Sequence, residues 1–315
     1  MNSEFVVGID IGGTNTKVGI VNESGNCLIR ATLHTNEYIL VDDFIDALAG
    51  LINRLFSELR IGKNIKGIGI GAPNGNYFKG TIEYAPNLNW KGIIYFADLM
   101  KVHFNVPIIL TNDANAAAMG EMLYGAARSM KDFIVITLGT GLGSGIVVNG
   151  ELVYGHDGFA GEIGHTIIVI NGRQCGCGRN GCLETYCSAP GIIYTYKELL
   201  KKYNVIPEVK DSLIEAKYIE QIAKEGDVIA IEAFKYTGEI LGIGLANSVA
   251  YTSPEAIYLI GGFAKAKDLL FEPTIKSFNE NVMNIFKGKT KILPSDLNDG
   301  DAAILGAASL IWKMD

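Results

Sequence analysis

The sequence predicts an α/β fold of two related lobes with a ligand cleft between them. Three observations carry this. A strand, a glycine-rich turn and a second strand occur twice, first as FVVGID, GGTNT and KVGIV within residues 5–21, then as FIVITL, GTGLGS and GIVV over residues 133–148. After each copy, apolar strand patterns alternate with helical periodicity, as in sheets covered by helices. At 315 residues the chain also exceeds the size at which one hydrophobic core stops growing. Ligands of such folds sit where the lobes meet.

Taken in order, the apolar run at 5–10 reads as a strand ending in Asp10, and its turn into 17–21 makes a hairpin rather than a strand feeding a helix. Apolar residues recur at helical spacing over 41–59. Strands are expected at 65–73 (IKGIGIGAP) and 107–110, the second running into TNDANAAAMGEMLYG and a helix opening at Ala114. The second hairpin occupies 133–148, and a polar, cysteine-bearing loop region follows it. Helices near 192–203 and 227–251, strands at 256–262 (AIYLIGG) and 290–295 (TKILPS), and a last helix from about 301 to 312 complete the chain. Gly238, Gly242 and Gly244 in the long helix predict a close helix-packing face, with a subunit contact as one use for it. The expected lobes are residues 1–112 with 300–315, and residues 113–299.

Composition narrows the function. A net charge of −7 argues against a nucleic-acid surface, which needs a basic stripe to replace the counterions around phosphates. The first residues, MNSEFVVGIDIGG, lack a positively charged region and place Asp10 in the first apolar run, so no secretion signal is expected. No stretch approaches the roughly 20 apolar residues of a membrane helix. Five cysteines, an odd and clustered set, do not form a secreted disulfide framework, which makes the cytoplasm the expected compartment.

The turns point to a ligand class. Glycine lets backbone N–H groups approach an anion closely, so two such hairpins facing one cleft could hold a polyphosphate; either alone could equally be a tight turn. Gly139, Gly141, Gly143 and Gly145 do not fit G-x-G-x-x-G, and a strand follows them, which excludes a dinucleotide fingerprint. A P-loop motif is absent as well. Asp113 precedes the helix expected to open at Ala114, where a carboxylate could be a cap or a catalytic base.

The stretch CGCGRNGC (175–182) allows several readings. Cys175 and Cys177 are separated by one residue, so a CxxC redox pair is absent. A reducing compartment disfavours a disulfide. Three thiolates with a histidine ten residues upstream suit Cys₃His zinc. From spacing alone, Cys187 competes with His165 for the fourth place, and four cysteines would also suit an iron–sulfur cluster.

DIGGTNTK (10–17), NDANAAAMGE (112–121), LGTGLGSGI (138–146), GEIGH (161–165) and CGCGRNGCLE (175–184) resemble, in order and spacing, the motifs of the ROK family of bacterial sugar kinases and repressors. The resemblance spans nearly the whole chain. It implies a duplicated ribonuclease H-like/actin-like ATPase fold, two lobes with an interdomain cleft, and ATP-dependent phosphorylation of the 6-hydroxyl of a hexose. Asp113 matches the family's catalytic base, and Asn87, Asn112, Glu162, His165 and Glu184 match its sugar contacts. Asp10 would orient Mg²⁺ through water. Gly12, Gly13, Thr14, Asn15 and Lys17 would line the phosphates from one lobe, with Thr140, Gly141 and Gly143 doing so from the other. Gly261 and Gly262 resemble the adenosine-side turn. The family pattern favours His165, Cys175, Cys177 and Cys182 as a structural zinc site whose histidine also faces the sugar, leaving Cys187 a small buried residue. Glucose is the implied substrate; Asn74, standing where many glucokinases have glycine, makes N-acetylglucosamine or N-acetylmannosamine the alternative. A sugar-sensing regulator without catalysis and an actin-like or chaperone-like ATPase are the rival classes. Homodimers or homotetramers are implied, with no nucleic-acid or membrane partner.

Overall fold

Each hairpin grows into a five-stranded sheet, and the two sheets repeat one topology. The computed structural model describes residues 4–61, 65–207, 209–297 and 301–313. The first half runs β1 (Phe5–Ile11), β2 (Asn15–Asn22), β3 (Cys27–His34), α1 (Val41–Leu59), β4 (Ile65–Ala72), β5 (Gly75–Asn76), β6 (Thr81–Glu83), β7 (Ile93–Ile94), α2 (Phe96–Lys101), β8 (Ile108–Asn112) and α3 (Asp113–Leu123). The second runs β9 (Phe133–Leu138), β10 (Leu142–Val148), β11 (Glu151–Leu152), α4 (Glu184–Cys187), α5 (Ala189–Lys202), α6 (Ala216–Lys224), α7 (Val228–Thr252), β12 (Ala256–Ile260), α8 (Asp268–Asn281), β13 (Lys291–Pro294) and α9 (Ala302–Trp312). The sheet orders are β3-β2-β1-β4-β8 and β11-β10-β9-β12-β13. In both, the first three strands of the half are antiparallel and the last two join in parallel. β5, β6 and β7 form a separate small sheet.

Local sequence explains the long elements. α1 buries Phe44, Ile45, Leu48, Ile52, Leu55 and Phe56, spaced three and four apart, and ends where Arg60 turns left-handed at φ 53°. Each large side chain so covered contributes about 1.5–3 kcal/mol. β1 alternates: Val7, Ile9 and Ile11 join the core beneath α1, while Val6 points the other way toward Ile304 and Ile311 of α9.

Between the sheets lie α9 and α3, held close by glycine. A Cβ on Gly69 would lie 1.9 Å from the Ala307 carbonyl oxygen, and one on Gly8 2.2 Å from that of Ile304, so α9 rests on the first sheet's backbone. Gly306 faces α3, where its Cβ would meet the Ala116 carbonyl oxygen at 2.6 Å. Gly145 of β10 meets the Ala114 carbonyl at the same distance, completing the column. α3 is therefore Ala-rich on every side because it is covered on both.

Several elements extend or correct the sequence reading. The helix expected from 192 begins at Ala189, since Ser188 Oγ accepts the Gly191 N–H and Pro190 sits in the first turn. β3, α2, α6 and α8 were not anticipated. The glycine face of α7 is filled within the chain: a Cβ on Gly238 would meet Pro273, and one on Gly242 would meet Thr274 and Phe278, all on α8, while Gly244 meets Leu183. That accounts for these glycines without a subunit contact. The lobe boundary expected at 299/300 lies outside the described residues. No helix among the described residues is long and apolar enough to cross a membrane.

Candidate functional site

Parallel strands end together, and the two hairpins and β8 bring their chemistry to one cleft. Asp10 sits opposite Lys17 in the β1–β2 register. Both line a cavity of about 560 Å³ together with Asp113, Thr137, Gly261, Gly262, Lys265 and Ser295. That volume suits a small-molecule ligand. Burial, and next the charge of Asp113, push the Asp10 carboxyl up to about 6, with Lys17 opposing.

Asp113 is the first residue of α3. Solvent reaches it across the cleft, yet protein surrounds it closely enough that desolvation raises its carboxyl above the usual range. One of its oxygens accepts the Ala114 N–H at 2.8 Å, which works against that rise. Asn112 Oδ1 accepts the same N–H at 2.8 Å and is the N-cap, so the capping role weighed for Asp113 falls chiefly to its neighbour.

Glu162, His165 and Glu184 form the other wall. His165 Nε2 stands 3.9 Å from Glu162 Oε2. Burial raises the Glu162 carboxyl; His165 pulls it down, and Asp113 and Glu184 push it up, so these acids share one field. Glu184 Oε2 accepts the Leu142 N–H at 2.9 Å, tying this wall to the second hairpin.

Behind that wall stand the cysteines. The ligand-type atoms of His165, Cys175, Cys177 and Cys182 all lie within 4.8 Å of one another. Cys175 Sγ is 3.6 Å from His165 Nδ1, and Cys177 Sγ is 3.6 Å from Cys182 Sγ. A tetrahedral cation with metal–sulfur bonds of about 2.3 Å needs sulfurs about 3.8 Å apart, so the donor set fits zinc in type and spacing. Nδ1 faces the sulfurs while Nε2 faces Glu162. Cys187 stands apart, fully buried, its thiol on the Thr237 carbonyl at 3.5 Å. The loop is anchored by Arg173, whose guanidinium reaches the Thr185 and Gly191 carbonyls, Thr195 and Glu198 and stacks over Tyr186.

Several glycines of the turns face protein atoms at close range. Gly12 donates to the Asn15 carbonyl, and the Asn15 side chain meets His34 Nδ1 at 2.8 Å. A Cβ on Gly13 would lie 2.5 Å from the carbonyl oxygen of Asn87, which is exposed. One on Gly141 would lie 2.6 Å from Glu184 Oε2, and one on Gly143 would meet Thr137 and Ala114. Thr14 and Thr140 are exposed at the two tips. Gly261 turns at φ 98° with the Leu138 carbonyl beneath it, while Gly262 opens on free space. Asn74 takes the left-handed backbone expected of glycine (φ 51°), and its amide donates to the Glu83 and Tyr84 carbonyls.

Sequence reasoning missed Thr137, Lys265 and Ser295, which lie outside the glycine turns. It also missed Tyr154, whose ring stacks on Tyr77 at 4.1 Å and 12° and whose hydroxyl lies near Thr111, the neighbour of Asn112. The signal available was an aromatic residue in each half next to a motif.

Residues 6–314 match the description "ROK family". The chain belongs to the ROK family. It carries that family's actin-like ATPase fold, and the repeated sheets are its duplication. The glucokinase of Streptomyces coelicolor is 32% identical over 99% of this chain and 98% of its own. The xylose repressor of Bacillus spizizenii is 30% identical, over 98% of this chain and 77% of its own length. A solved ROK glucokinase from Streptomyces griseus, in complex with glucose and AMPPNP, is 31% identical and superposes with a TM-score of 0.82, covering 97% of this chain and 98% of that one.

Proposed function

We propose that the chain is an ATP-dependent kinase that phosphorylates the 6-hydroxyl of a hexose, with glucose as the substrate. The observation that carries this is the placement of Asp113. It stands between a cavity bearing Asp10, Lys17 and the Gly261–Gly262 turn and a wall bearing Glu162, His165 and Glu184. Similarity to glucokinases over the full chain supports the same reading.

In this reading Asp113 accepts the proton of the sugar hydroxyl as its oxygen attacks the γ-phosphorus, and the bond to the ADP oxygen breaks. Its raised pKa makes it a stronger base than an ordinary carboxylate. Asn112, Asn87, Glu162, His165 and Glu184 hold the sugar's hydroxyls. Carboxylates accept from such groups, and His165 Nε2 is the nitrogen available for the task. Gly12, Gly13, Thr14, Asn15 and Lys17 line the phosphate path from one side, with Thr140, Gly141 and Gly143 on the other and Gly261 and Gly262 beneath the adenosine. Asp10 would hold Mg²⁺, which when bound neutralises phosphate charge; the repulsion between Asp10 and Asp113 supports a cation there. Zinc at His165, Cys175, Cys177 and Cys182 would be a closed structural site that fixes the ring of His165.

The test is sugar-dependent ADP release with glucose, N-acetylglucosamine, N-acetylmannosamine, mannose, allose and fructose. Glucose should give the highest kcat/KM. A higher value for N-acetylglucosamine or N-acetylmannosamine would move the assignment to an N-acetylhexosamine kinase. Kinship with a xylose repressor favours the second reading, a sugar-sensing regulator. Sugar binding without any ADP release would establish that reading and overturn the kinase.

A further inference from the structure

The motif NDANAAAMGE carries the proposed base as its second residue and ends with an acid that the reaction above does not use. Glu121 lies eight residues beyond Asp113 on α3, about 12 Å along its axis. It is wholly buried. No lysine or arginine pairs with it among the described residues, and a carboxylate so placed is tolerated only where its oxygens find donors. Both do. Oε2 accepts the Ala126 N–H at 3.1 Å, and Oε1 accepts the hydroxyl of Ser295, 174 residues away. The chain makes room for this carboxyl at Gly125, where a Cβ would lie 2.1 Å from Oε2.

Ser295 passes the constraint on. Its Oγ accepts the Leu297 N–H at 3.1 Å, and its own N–H reaches the Leu259 carbonyl at 3.3 Å. Pro294, Ser295 and Leu297 form one wall of the cavity that also contains Asp10, Asp113 and Gly261. The wall starts at Pro294, the last residue of β13 and the partner of Leu259, and no named strand continues beyond it. Its fixed points are the Leu259 bond and the pair Glu121–Ser295.

We propose that Glu121 is a positioning residue for the nucleotide, acting through Ser295 to hold the 294–297 wall against ATP. α3 would then set both partners of the transfer, the base at its first residue and the nucleotide wall near its last. The inference rests on the kinase reading, in which ATP occupies this cavity.

The experiment compares Glu121→Gln, Ser295→Ala and the double variant with wild type. Glutamine keeps the shape but turns an NH₂ group against one of two donors, and a lost buried hydrogen bond of about 1–2 kcal/mol corresponds to roughly a 5- to 30-fold change. The KM for ATP should rise by that factor in both single variants, while the hexose KM stays within about twofold. The double variant should be no worse than the weaker-binding single one, because both substitutions break one link. An unchanged ATP KM in both single variants, or a parallel rise in ATP and hexose KM, overturns the inference. Calorimetric titration of wild type with ATP, without hexose, separates the two failures. A wild type that binds no ATP overturns the inference together with the reading beneath it. ATP binding equal in wild type and variants overturns the inference alone.

Discussion

Replacing Asp10 with asparagine should stabilise the fold while removing its activity. Burial and the neighbouring Asp113 raise this carboxyl from the ordinary 3.8 to about 6 in the folded chain. Between those values the folded state holds a proton that the unfolded state has released, so stability falls as pH rises through the window and stays low above it. A shift of about two units corresponds to at most about 3 kcal/mol. Because the cleft is open to solvent, about 1–3 kcal/mol is the expected penalty at neutral pH. Asparagine carries none of it. For a chain of this size the gain is about 2–4 °C in Tm per kcal/mol. Thermal unfolding should therefore place Asp10→Asn several degrees above wild type at pH 7.5, with the gap narrowing to about a third at pH 4.5, close to the unfolded pKa. ADP release by the variant should be lost at both pH values. A variant that melts at or below wild type at pH 7.5, or a gap indifferent to pH, would refute the reasoning.

Asp113→Asn should lower kcat by about 10²–10⁴ while hexose affinity, measured by titration, persists; undiminished turnover would remove Asp113 as the base. Elemental analysis should find about one zinc per chain, and Cys177→Ser should lose it. The metal-free chain should show a raised hexose KM with the ATP KM unmoved, and an unmoved hexose KM would separate the metal from the sugar wall. Gly306→Ala should lower stability by about 1–3 kcal/mol in denaturant unfolding, because its Cβ meets the Ala116 backbone at 2.6 Å rather than a movable side chain. A midpoint equal to wild type would mean that α3 and α9 part without strain.

How much could be read from the chain depended on whether one period dominated locally. The residues of α1 and β9 announce themselves because each buries one clear pattern, and their bounds were legible to the residue. α8 was not, because Pro273 lies in its interior and the face it turns to α7 includes Thr274 and Ser277, which fit glycine rather than make an apolar stripe. β3 alternates half-buried with exposed residues at a sheet edge and never becomes apolar enough to stand out. In the site, Asp10, Asp113 and the cysteine loop were legible because chemistry and motif coincide at one place in the sequence. Glu121 with Ser295, and Tyr77 with Tyr154, are pairs made by folding alone. In neither pair does one residue's place in the sequence point to the other.

The glycine column through α9 and α3 bears on which sequence changes the chain can accept. At Gly8, Gly69, Gly306 and Gly145 the opposing atoms are carbonyl oxygens, and no residue smaller than glycine exists to relieve them. Every substitution there is an addition. A survey of random variants should accordingly divide its losses into two kinds. Changes in the cleft leave normal amounts of an inactive protein, whereas changes in the column leave little protein at all, although no ligand touches it. Abundance, measured beside turnover, distinguishes a residue that performs the chemistry from one that keeps two half-molecules in register.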